Sequence, residues 1–114
     1  MSKREPKLLL EDILDCAEKI LRYTNDFTFE QFMQNDLTMD AVVRNYEIIG
    51  EAANRLPEEF KAQLPTLEWN KIRGFRNRLA HEYFGIDYNL VWKTKLKLLP
   101  ELISSIKNIL NPIE

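Results

Sequence analysis

The stretch Thr38-Met-Asp-Ala-Val-Val-Arg-Asn-Tyr-Glu-Ile-Ile-Gly-Glu-Ala-Ala-Asn-Arg-Leu56 places Val42, Tyr46, Ile49, Ala53 and Leu56 at steps of three and four. A helix returns side chains to one side at that period, so the segment reads as an amphipathic helix, stopped by Pro57. Arg44, Glu47, Glu51 and Arg55 share the polar side, where charges of both signs at this spacing form a solvated, lightly stabilising ladder. Gly50 lies beside the apolar stripe; it weakens the helix but lets a neighbouring helix come close.

The same period recurs outward in both directions, and no segment alternates in the β manner. Pro6 suits the first turn of a helix over roughly Leu8 to Tyr23, with Leu9, Ile13, Ala17 and Ile20 on one side. Thr28 and Gln31 form a capping-box pattern that opens a short helix through Phe32 and Met33. Pro57 to Pro65 reads as a connector. A fourth helix is expected from about Glu68 to Tyr83, a break at Gly85, and a fifth helix from Asp87, a good N-cap, to about Leu110, kinked at Pro100. Trp69 and Trp92 read as core anchors, and Cys16 as inert packing. Short connectors between such elements predict one all-α domain spanning 1–114, an up-and-down bundle of four to five helices.

Composition narrows the function classes. One cysteine cannot form an internal disulfide, and neither a leader nor a long apolar run is visible, so a reducing cytoplasm is expected and a membrane partner is not. Sixteen basic and eighteen acidic residues give a net charge of −2, which argues against gripping nucleic acid through the overall field. A local grip is expected at Lys71 to Arg78, where Lys71, Arg73, Arg76 and Arg78 meet no acid.

That run leads into Arg76-Asn-Arg-Leu-Ala-His81-Glu-Tyr83-Phe-Gly-Ile-Asp87, which contains the one histidine of the chain. An imidazole moves protons near neutral pH, and a guanidinium holds a phosphate or its more highly charged transition state. On the expected fourth helix, Ile72, Phe75 and Leu79 form the apolar stripe. Arg73, Asn77 and His81 follow at four-residue steps on another side, with Ala80 among them, and Arg76 and Tyr83 lie between. His81 therefore points away from the core. Spacing alone leaves this side open to two uses, a solvated charged surface or a surface met by a ligand or a second chain.

Arg76 to Tyr83 resembles the R-x4-6-H signature of the HEPN superfamily. The continuation into x-Tyr83-Phe84-Gly85-Ile86-Asp87 resembles the HepT-like toxins of type VII-like HepT/MntA toxin–antitoxin modules. Arg44 to Ala53 resembles that family's central helix, and Trp69 to Ile72 its lead-in to the motif. The resemblance implies an all-α bundle, a homodimer, a metal-independent endoribonuclease acting on RNA, and an MntA-like nucleotidyltransferase antitoxin that adds AMP to the motif tyrosine, Tyr83.

The chemistry is consistent with these residues. Metal-free RNA cleavage needs a base for the 2′-hydroxyl proton, an acid for the leaving 5′-oxygen and a cation for the phosphorane. His81 is the expected proton carrier and Arg76 the expected clamp. In a straight helix the two lie about 140° apart, so a two-fold dimer that pools two of each is expected to form the site. Asn77 is expected to orient the ring or bind phosphate, with Arg73 and Arg44 as auxiliary phosphate contacts and Glu51 able to position an arginine. No metal or other cofactor is expected, because Asp87 has no second carboxylate or histidine at ligand spacing. A rival from another class is a non-catalytic helical partner of a nucleotidyltransferase.

Overall fold

The computed structural model describes residues 5–62, Trp69, Ile72 and 88–110. Five helices are described: α1 (Pro6–Thr24), α2 (Phe29–Met33), α3 (Asp36–Arg55), α4 (Glu58–Lys61) and α5 (Tyr88–Leu110). No strand occurs among the described residues, and the all-α class expected from the sequence is the one found.

Local chemistry accounts for most of the boundaries. Pro6 enters α1 in the first turn, where a missing N–H costs nothing. Thr28 and Gln31 cap α2 reciprocally: the Gln31 amide donates to Thr28 Oγ1 at 3.1 Å, and the Thr28 amide donates to Gln31 Oε1 at 3.0 Å. α3 begins two residues before the expected Thr38, because Asn35 Oδ1 accepts from the Thr38 amide at 2.9 Å and so caps the helix one turn earlier. It ends at Arg55, and Leu56 is extended at φ −64, ψ 133, the conformation that a following proline imposes. The stretch expected to be a plain connector contains α4, started by Pro57 with Glu58 and Glu59 in its first turn, where the helix dipole favours acids. The expected fourth helix lies outside the described residues except for Trp69 and Ile72, which are both helical.

One core joins these elements. Leu9, Leu10, Ile13, Ala17 and Ile20 of α1 meet Val42, Tyr46, Ile49 and Ala53 of α3 and Val91, Leu99, Leu102 and Ile106 of α5. Each such fully buried Val, Leu or Ile side chain contributes roughly 1.5–3 kcal/mol. α3 is the most enclosed: Asn45 and Ala52 on one flank, and Val43 and Gly50 on the other, are buried along with its inner stripe. Gly50 is thus buried beside the stripe. α1 and α5 run antiparallel, since Glu18 pairs with Lys107 at 3.3 Å while Lys7 and Glu11 line an open groove with Leu110.

Two contacts tie α5 to the rest. The buried Tyr46 hydroxyl donates to the Val91 carbonyl at 3.1 Å, and burial pushes its pKa up. Phe32 of α2, fully buried, meets the rings of Trp92 at 5.1 Å and Tyr88 at 6.0 Å. Trp92 also meets Phe29 at 5.8 Å, and Trp69 packs on the core with its indole N–H donating to the Lys61 carbonyl at 3.2 Å. Both tryptophans therefore anchor the core, as expected. Phe32→Ala should cost about 3–5 kcal/mol, against about 1 kcal/mol for Tyr46→Phe. Urea unfolding followed by circular dichroism separates them; equal midpoints would contradict a central role for the Phe32 ring.

Candidate functional site

Of the six side chains that the sequence nominates, Arg44 is among the described residues. Arg73, Arg76, Asn77, His81 and Tyr83 lie outside them, as do Lys71 and Arg78, the other basic residues of the expected local grip over Lys71 to Arg78, and the expected cap Asp87. The two residues that bracket this run are both packed on the core. Ile72, just before Arg73, is 3 % exposed and belongs to the central cluster, and Tyr88, just after Asp87, rests on Phe32.

Tyr88 also locates this end of the run electrostatically. Burial raises the pKa of its phenol, and the carboxylates of Asp40 and Asp36 raise it further. The start of α5 thus lies near enough to the first turns of α3 for their carboxylates to be felt at Tyr88. Arg44 stands one turn beyond Asp40, is exposed, and has no ion pair among the described residues. Its charge is also felt, weakly, at Cys16 of α1. Further along, Glu51 Oε1 meets Arg55 Nη2 at 3.3 Å with both side chains about half exposed, one rung of the expected ladder. Exposed pairs of this kind contribute about 0.3–0.5 kcal/mol. The arginine that Glu51 meets in this pair is Arg55 of its own helix, as a solvated ladder requires.

Cys16 does not join this chemistry. It is 5 % exposed, and burial, followed by the neighbouring Asp15 carboxylate, pushes its thiol up to about 11 from 9.0. A raised pKa leaves the proton on the folded thiol after the unfolded chain has lost it, so the associated stability is complete below 9.0 and declines as pH rises through about 11. Raised Tyr46 and Tyr88 phenols act in the same direction at higher pH. Urea midpoints should therefore fall across this alkaline window, and alkylation of Cys16 near pH 9.0 should be slow in the native protein and fast in urea. Equal native and unfolded alkylation rates would show an accessible thiolate instead.

None of the described helices is long and apolar enough to cross a membrane. The arginine–histidine–tyrosine run thus lies in sequence between two core-packed residues, Ile72 and Tyr88, of an all-α bundle. Residues 13–109 match the family described as ribonuclease HepT-like, and the chain belongs to that family. It is 38% identical over 114 residues, all of this chain and 94% of the relative, to a provisionally named RNase of Methanocaldococcus jannaschii. It is 40% identical over 107 residues, 94% of this chain and 96% of the relative, to a provisionally named RNase of Caldanaerobacter subterraneus subsp. tengcongensis. A provisionally named ribonuclease HepT of Thermococcus cleftensis is 40% identical over 100 residues, 88% of this chain and 91% of the relative. No solved structure matches the chain significantly.

Proposed function

We propose that this protein is a metal-independent endoribonuclease, the toxin of a type VII-like HepT/MntA toxin–antitoxin pair, acting in a cleft formed by two copies of the chain. The observation that carries the reading is Arg76-x4-His81-x-Tyr83 in a chain that belongs to the HepT-like ribonuclease family. In this mechanism His81 removes the 2′-hydroxyl proton, and the 2′-oxygen attacks the adjacent phosphorus. The bond to the 5′-oxygen breaks, leaving a 2′,3′-cyclic phosphate and a 5′-hydroxyl. The second copy's imidazole protonates the leaving oxygen, and Arg76 holds the charge that accumulates on the phosphorane. Asn77 orients the His81 ring or binds phosphate, and Arg73 and Arg44 add phosphate affinity.

Cleavage of RNA should survive chelator and fall by about two or more orders of magnitude in His81→Ala and Arg76→Ala, because proton transfer and charge stabilisation are assigned to these side chains. Ala80→Arg, on the same side of the predicted fourth helix, should lose both the dimer in light scattering and the activity. A strict need for a divalent ion, or full activity in a monomer, would overturn the mechanism.

Regulation is proposed at Tyr83, seven residues past Arg76. A partner nucleotidyltransferase would transfer AMP from ATP to its hydroxyl with release of pyrophosphate. The added phosphate brings bulk and negative charge beside Arg76, where it competes for the phosphate site and repels RNA without unfolding the bundle. Co-expression with the cognate enzyme should add adenylate mass to the wild type and none to Tyr83→Phe, with toxicity falling only in the former. Neutralisation without adenylate on any residue would leave binding as the antitoxin's mode of action.

A further inference from the structure

Charge is divided unevenly among the helices. α1 and α3 each carry more acid than base, whereas α5 carries Lys93, Lys95, Lys97 and Lys107 against Glu101 alone, in a chain of net charge −2. No acid occurs between Tyr88 and Pro100, and Glu101, one turn past Lys97, makes no ion pair among the described residues. Lys93 and Lys97 are exposed and four residues apart, so they stand on one side of α5 about 6 Å apart along its axis. Neither has an ion pair among the described residues. Lys95 is committed elsewhere: its Nζ lies 3.7 Å from the centre of the Trp92 ring, and burial lowers its pKa.

A solvated ladder normally neutralises itself, as Glu51 and Arg55 do on α3. Like charges at four-residue spacing repel instead, and here the repulsion falls in the helix that begins one residue after Asp87. Lys93 and Lys97 stand about 8 and 14 Å along the axis from the first residue of α5. Phosphates spaced along a nucleic-acid strand complement such a pair of cations. A protein partner complements it less well, since interface cores are poor in lysine and built around aromatic residues and arginine.

We propose that Lys93 and Lys97 form a docking ridge for the phosphate backbone of the RNA strand that flanks the cleaved bond. The proposal rests on the ribonuclease reading above and supplies its substrate contact. Lysines on phosphates position a strand without reading its bases, so the ridge favours longer RNA and is indifferent to sequence.

The test uses the full chain and a 2′-O-methylated oligonucleotide of about 20 nucleotides, long enough to span several phosphates and unable to react through the 2′-oxygen. In Lys93→Gln/Lys97→Gln the slope of log affinity against log salt should fall by about 1.4, with roughly tenfold weaker binding at low salt, as expected for two lost single-strand phosphate contacts. Lys7→Gln/Lys19→Gln in α1 makes the same change in net charge and should leave the slope as in wild type. Cleavage of a dinucleotide RNA in chelator, whose single phosphate is the scissile one and leaves none for the ridge, should be equal in all three proteins. An unchanged slope in the α5 variant, an equal loss in the α1 control, or no binding by wild type overturns the ridge. Loss of nucleotidyltransferase binding with an unaltered salt slope also overturns it, in favour of a protein partner. Wild type that binds the oligonucleotide but cleaves no RNA would defeat the ribonuclease reading and leave the ridge standing.

Discussion

The burial of Phe32 between Tyr88 and Trp92 is the contact on which the placement of α5 depends. α2 has five residues, far too few to be stable alone, and its reciprocal cap supplies what propensity cannot. The cap holds Phe32 in register, Phe32 receives the first turn and a half of α5, and the Tyr46 hydroxyl then fixes Val91. With Ile72 also in the core, both ends of the run that carries the histidine are tied to one rigid cluster. Two fixed ends matter for chemistry that must be held to within a fraction of an ångström.

Much of this was legible in the sequence, for identifiable reasons. The α3 stripe, the proline at the start of α1 and the Thr28–Gln31 cap are local patterns, and local physics settles them. α3 starts earlier than its apolar stripe suggests because Asn35 caps it, and only the geometry shows that its side-chain oxygen accepts from the Thr38 amide. α4 escaped notice because four residues are too few to establish a period. The sequence reading of α5 rests on its cap, its proline and Trp92 and leaves its lysines aside, because their significance lies in having no ion pair among the described residues, which spacing does not show.

The site was legible in a different way. Arg76, His81 and Tyr83 are a pattern of residue types, and their meaning came from the family resemblance, which the match over residues 13–109 supports. Periodicity in one chain cannot supply a second histidine or reveal what a second copy contributes. Arg44 shows the limit from another side. Its spacing fits a charge ladder, yet it stands one turn beyond the carboxylates that face Tyr88 and has no ion pair among the described residues.

The order in which the core is assembled has a further consequence during synthesis. α1 and α3 are translated first, but Val91, Leu99, Leu102 and Ile106, which close the apolar side of α1, are translated after the whole arginine–histidine–tyrosine run. Domains complete their folding only when the residues that seal them have left the ribosome. A nascent chain halted before residue 88 therefore carries every nominated side chain on an unsealed bundle, with the exposed stripe of α1 open to chaperones and proteases.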